Sequence, residues 1–175
     1  MTSIIKVDQI QNAAGVGGLT IDGSGYTLPK VPLFKVQLTS NFPINSNTWT
    51  KVDWSGYGQV IYDNTSSWNT SSETWTPSQA GYYLLQGNAV TGSGYIQGAG
   101  IQFIKNGSVD IGSSSSFSDP TYRADDIAVS YSALVYLNGT DSVQMNGFIY
   151  DIAAGTDNFF GSTGITTFHG YFIST

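Results

Sequence analysis

The chain has 175 residues, 40% hydrophobic and 14% aromatic, enough for one compact domain with a short appendage and too few for a second full domain. Charged residues make up 10%, glycine takes 21 positions and glutamate only one, Glu73, which excludes helical bundles and coiled coils and leaves an all-β protein with a Ser/Thr/Asn/Gln surface. Six basic against twelve acidic side chains give a net charge of −6, which argues against nucleic acid or anionic membrane as partners, and the lack of cysteine removes disulfides, thiol nucleophiles and thiolate metal sites.

At the start of the chain, Met1 to Asp8 has no basic region followed by a long apolar run, so no Sec signal peptide is expected. No apolar run approaches the roughly 20 residues needed to span a membrane, so no membrane insertion is expected either. Residues 1–30 scatter Ile4, Ile5, Val7, Ile10, Val16, Leu19 and Ile21 among Gly15, Gly17, Gly18, Gly23 and Gly25. So many glycines would leave a lone helix or sheet poorly stabilised, so the stretch is expected to be an extended arm. Its aliphatics Ile4, Ile5, Val7 and Ile10 are the candidates for docking onto another protein, and a loose terminus is the alternative.

Pro29 and Pro32 mark a boundary, and residues 31–175 then read as strands between turn clusters. Phe34–Leu38 alternates with period two, and strands follow at Gln59–Tyr62, Gly81–Gln86, Ile101–Lys105, Ile127–Leu137, Ser142–Phe148 and Thr166–Ile173. Asn106-Gly107, Asn138-Gly139 and Ser113–Ser116 supply connections. Many short strands with this punctuation, and no internal repeat, point to a sandwich or jelly roll.

Tyr57, Asp63, Trp68, Trp75, Gly81, Tyr83 and Leu85 form the most informative series. Trp68 and Trp75 are expected to be large core residues, with Pro77 fixing a turn and Gly81 permitting a close backbone approach into the strand that carries Tyr83 and Leu85 on one face. The spacing resembles the signature of the C1q-like (C1q and tumour-necrosis-factor) family, with Tyr57, Trp75 and Leu85 where Phe is usual. Three further motifs resemble the family in the right order: Phe103-Ile104-Lys105-Asn106-Gly107, the strand–turn–strand Ser132–Val143, and the closing strand Thr166–Ile173. The resemblance covers about residues 34–175. It implies a C1q/TNF-like jelly-roll knob, three of which pack around an apolar axis into a homotrimer. Tyr131, Tyr136, Phe168 and Tyr171 are the candidates for that interface, and a monomeric sandwich is the alternative.

The leader Ile4–Gly15 and Leu19–Gly25 resembles the start of tailed-phage fibre and virion proteins. With a Gly/Ser/Thr-rich exterior and no export signal, it implies a virion location: a bacteriophage structural protein, displayed as a short tail fibre or adhesin, fixed by its arm to other virion proteins. Head decoration with the same knob is the alternative, and a bacterial glycan-binding module is a third reading.

Catalysis has little to rest on. His169 is the only histidine and lies in an aromatic strand, and neighbouring Asp125 and Asp126 would point to opposite faces of a strand. Asp119, Asp125 and Asp126 offer calcium-type oxygen ligands, but no dense Asp pattern surrounds them, so no cofactor is expected. Aromatics in polar connections are better candidates for binding a host-surface glycan or protein. Trp49, Trp54, Tyr95, Phe117, Tyr122, Phe159 and Phe160 fall there, and Trp54, Tyr95 and Tyr122 are singled out as glycan contacts. On that reading Trp54 is an exposed loop residue.

Overall fold

The structure, a computed structural model, describes residues 9–11, 17–21, 27–28, 31–92, 96–118, 126–151, 156–161 and 164–175. The chain divides into two compact units, Met1–Val31 and Pro32–Thr175. The first holds three short antiparallel strands, β1 (Gln9–Gln11), β2 (Gly17–Ile21) and β3 (Thr27–Leu28), with Ile10 opposite Leu19 and Thr20 opposite Leu28. Part of the stretch expected to be extended is therefore paired. Backbone hydrogen bonding needs no side-chain burial, so glycine-rich chain can still form it. Ile4, Ile5 and Val7 lie outside the described residues.

The second unit runs β4 (Leu33–Leu38), β5 (Phe42–Asn45), β6 (Thr50–Lys51), α1 (Trp54–Tyr57), β7 (Gly58–Asp63), β8 (Trp68–Asn69), β9 (Thr74–Trp75) and β10 (Ala80–Gly92). It continues with β11 (Gly98–Lys105), β12 (Val109–Phe117), β13 (Ala128–Asn138), β14 (Val143–Tyr150), β15 (Thr156–Phe159) and β16 (Thr167–Ser174). They form two antiparallel sheets. One has the order β5-β15-β10-β16-β4-β7 with β13 also paired to β10, the other the order β12-β11-β14-β9-β8 with β6 on β14. Each strand expected from period-two alternation has its counterpart in this sandwich, with Ile127, Ser142 and Thr166 falling one residue before β13, β14 and β16. The Ser113–Ser116 run, expected as a connection, is instead the middle of β12, where Ser114 pairs with Ile101 and Ser115 with Gly100. Pairing to the apolar β11 overrides the weak strand preference of serine.

The core lies between the sheets. Phe34, Val36 and Leu38 of β4, Tyr83 and Leu85 of β10 and Phe168 of β16 face Ile101 and Phe103 of β11, Met145 and Ile149 of β14, and Trp75 of β9. Aromatic rings dominate the centre: Phe34 stacks on Trp75 at 4.5 Å and meets Phe168 edge-on at 5.0 Å, and Trp75 meets Tyr83 at 5.3 Å. The Tyr83 hydroxyl donates to the Gln79 carbonyl at 2.6 Å, and burial pushes its pKa up to about 12. Gly81 gives the close approach expected of it, since a Cβ there would stand 2.5 Å from both the Phe172 ring and the Ser174 carbonyl oxygen.

Two turns that stood out in the sequence are tied to one carboxylate. Asn106 and Gly107 both have positive φ, 53° and 73°, in the three-residue connection Asn106–Ser108 between β11 and β12, a conformation that asparagine and glycine tolerate best. Asp141, beside the Asn138-Gly139 turn, accepts from Asn138 N at 2.9 Å and Asn106 Nδ2 at 2.8 Å and pairs with Lys105 Nζ at 2.8 Å. Burial works to raise the Asp141 pKa, but these hydrogen bonds and the Lys105 charge outweigh it and hold the carboxyl below its ordinary value. The Lys-Asn-Gly and Asn-Gly-Thr-Asp motifs thus tie the β11–β12 hairpin to the connection that crosses from β13 in one sheet to β14 in the other.

Candidate functional site

Trp54 is not a surface aromatic. It opens helix α1 with 1% exposure, and Asp53 caps that helix by accepting from Gly56 N at 2.8 Å. The single glutamate completes the cap, because Glu73 accepts from Trp54 N and Ser55 N at 3.1 and 3.2 Å and from the Ser55 hydroxyl. The turn drives the indole inward, so Trp54 can contact no glycan. Phe159, also expected in a polar connection, is buried in β15, whereas Trp49 and Phe117 are exposed. Tyr95, Tyr122, Asp119 and Asp125 lie outside the described residues, and Asp126 is exposed. Among the described residues no group of three or more acidic, histidine or cysteine side chains could hold a metal.

The signature residues occupy different layers. Trp75, Tyr83 and Leu85 are fully buried, while Trp68 is only half-buried, stacked 5.5 Å from Phe34 at the core margin. Asp63 shapes the turn before Trp68, accepting from Trp68 N at 2.6 Å and Thr65 N at 3.3 Å. Tyr57 is half-buried edge-on to Phe42 at 5.3 Å, and its carbonyl accepts from Thr39 N and Ser40 N.

Register separates the four interface candidates. In β13, residues 129, 133 and 137 are buried and the even positions are exposed, so Tyr136 faces outward. Tyr131 has the opposite parity: it packs 5.1 Å from Phe103 and reaches to Gly112 of β12, closing the edge between the sheets. Phe168 is wholly buried in the core. Tyr171 and Tyr136 alone among the four stand on the outer face.

That outer face is an ordered surface. Tyr82 pairs with Tyr136, their rings 5.4 Å apart, and the next row sets Leu33, Tyr171, Leu84 and Leu134 side by side on β4, β16, β10 and β13. Leu134 is 63% exposed, and Ile173 extends the patch beside the bulge between Tyr82 and Tyr83. The following row is polar: Lys35, His169, Gln86 and Ser132. His169 Nε2 shares a hydrogen bond with Gln86 Oε1 at 3.1 Å, and Gln86 Nε2 donates to Ser132 Oγ at 3.2 Å. Burial, and then the Lys35 charge, hold the His169 pKa below its ordinary value, so the ring is neutral at physiological pH. Nothing in this row presents a nucleophile to the histidine. What the face can do is bury apolar surface: contiguous exposed aromatics and leucines rimmed by polar residues mark an association site. Tyr82, Leu84 and Ile173 were missed in the sequence, although the period-two alternation of β10 and β16 was the signal that would have placed them.

No protein-family model and no curated protein sequence matches the chain. Its structure is similar to the globular domain of zebrafish complement 1qA protein, with 15% identity, TM-score 0.60, and coverage of 82% of this chain and 97% of that one. It is also similar to Eiger TNF from S. frugiperda, with 9% identity, TM-score 0.64, and coverage of 82% and 93%. Murine APRIL at pH 5.0 matches with 10% identity, TM-score 0.60, and coverage of 82% and 99%. At these identities the likeness establishes the fold: the sandwich is a C1q/TNF-like jelly roll.

Proposed function

We propose that the chain is a non-catalytic structural protein of a bacteriophage virion, in which three jelly-roll knobs associate through the outer face of the β4-β16-β10-β13 region and the residues before Pro32 fix the trimer to other virion proteins. The observation that carries the reading is the patch of Tyr82, Tyr136, Leu33, Tyr171, Leu84 and Leu134. An isolated chain would leave it in water, and closed symmetric association removes it. The resemblance of the knob motifs to a family that packs in threes supports three copies, and the resemblance of the leader to phage fibre proteins supports the virion location. In this role the trimer is a short tail fibre or adhesin that meets the host surface.

The test is to complement a phage lacking the gene with the full chain or with a chain lacking residues 1–28, and to label purified particles. The reading predicts label at the tail tip for the full chain and a soluble, folded but unincorporated knob for the truncated one. Label on the head would transfer the same knob to capsid decoration. Absence of the full chain from particles would overturn the virion role.

A further inference from the structure

The opposite side of the sandwich carries a second, differently built surface. On the outer face of the β12-β11-β14 sheet, Gly98 is flanked by Phe117 and Tyr150, and two residues along β11 Gly100 is flanked by Ser115 and Phe148. The two glycines form a floor for rings. A Cβ on Gly98 would stand 2.4 Å from Phe117 Cδ1, and one on Gly100 would stand 3.0 Å from Trp49 Cη2, so the phenyl ring and the indole lie across the backbone. From the β14 side, Tyr150 meets Phe117 edge-on at 6.3 Å and Phe148 packs against Trp49 at 5.1 Å. Phe117 is nonetheless 64% exposed and Trp49 38%. Rings held against a floor and still open to water are ordered in advance, so a ligand that covers them pays little to fix them.

The neighbouring row sets the chemistry of that ligand. Beyond Gly100, β11 presents Gln102 between Ser113 of β12 and Asn146 of β14, and Gln144 Nε2 donates to Asn146 Oδ1 at 2.9 Å. Amides and hydroxyls therefore border the rings, and charge enters only at the margin, as Lys51 at the rim opposite Asn146 and Asp110 in the more distant row of Gln144 and Ile104. A sugar ring has an apolar C–H face that stacks on an aromatic ring and an equator of hydroxyls that pairs with amides and serines. A charged peptide or an anionic polymer would find no cluster of counter-charges here, only one lysine and one aspartate of opposite sign at the margin.

We propose that this face binds a neutral polysaccharide, with Phe117 and Trp49 as stacking platforms, Tyr150 and Phe148 as the residues that position them, and Gln102, Asn146, Ser113 and Ser115 as partners for sugar hydroxyls. In biological terms the assignment rests on the display role above and names the class of host-surface ligand. Physically it uses side chains of a single chain on the sheet opposite the association face, so the two can fail separately.

Affinity electrophoresis of the full chain through gels containing a soluble β-glucan, a xylan, a dextran or a galactomannan, with alginate as the anionic contrast, tests the assignment. Retardation by at least one neutral polysaccharide is expected, insensitive to added salt. Trp49→Ala and Phe117→Ala should each weaken it about tenfold, with little change in melting temperature for Phe117→Ala, whose side chain is 64% exposed, and a small decrease for Trp49→Ala, whose indole packs on Phe148. Gly98→Val keeps every aromatic but lifts Phe117 off its floor, and should weaken retention as well. No retardation in any neutral gel, equal retardation of the Trp49→Ala/Phe117→Ala double variant, or retardation by alginate alone that salt abolishes would overturn the proposal. So would a change in oligomeric mass caused by the double variant, which would assign the face to protein contacts. The mass of the unmutated chain, read on the same samples, reports separately on self-association.

Discussion

Trp54 and Trp75 are the two indoles around which the core closes, and Trp68 sits at its margin. Trp54→Ala or Trp75→Ala empties a fully buried site and should cost about 3–5 kcal/mol, with Trp68→Ala costing less. Urea unfolding of the three variants checks the order, and a tolerant Trp54→Ala would contradict the burial of its indole. The sequence reading reversed Trp54 and Trp68 for a physical reason. Trp54 has Asp53, Ser55 and Gly56 around it, and the carboxylate that closes its helix comes from Glu73, far along the chain. Asp141 makes a second residue-scale case. Its folded pKa lies below the ordinary 3.8, so the unfolded chain binds more protons in the window just below that value. The Asp141 contribution is therefore complete above pH 3.8 and disappears as pH falls through the folded pKa. Asp141→Ala should cost about 3 kcal/mol at neutral pH through its lost charge-assisted hydrogen bonds, and thermal melts should show a shallower acid-induced loss of stability for this variant. Equal acid sensitivity of variant and parent would remove Asp141 from that role.

Among the elements, the long strands with alternating apolar residues were legible, and the two-residue strands and the serine-rich β12 were not. β4, β10, β11, β13, β14 and β16 carry enough alternating apolar residues to show their period, whereas β6, β8 and β9 are two residues each and exist only through partners such as Trp75 opposite Val143. β12 was hidden by its serines and β5 by Pro43, which pairs at the edge of its sheet. The proposed association face was half legible: Tyr131 and Tyr136 have opposite parity along β13, as Phe168 and Tyr171 have along β16, so alternation separates each pair, while the face that turns outward is set by packing against the second sheet, which composition does not encode. Glycines inside strands carry a sharper consequence. A Cβ on Gly147 of β14 would come 2.3 Å from Phe159 Cε2 and 2.8 Å from Ile44 Cδ1, in a layer with no slack. Gly147→Ala should cost about 1–3 kcal/mol in chemical denaturation despite the higher strand propensity of alanine. A neutral result would mean that β5 and β15 shift freely against β14.

At the scale of the whole molecule the two sheets present unlike outer faces. One carries a band of Tyr82, Tyr136, Tyr171, Leu84 and Leu134, the other aromatic rings over a glycine floor bordered by amides. The first suits permanent burial against further copies of the chain, the second contact with a polar ligand, and a single sandwich can do both because its sheets face opposite ways. The proposed function depends on self-association through the first face. Light scattering coupled to size exclusion, on the full chain and on Leu134→Asp at micromolar concentration, tests it most directly. The parent should run at three times the 18.7 kDa chain mass and Leu134→Asp as a folded monomer. A monomeric parent, or a trimer that Leu134→Asp leaves intact, would contradict it.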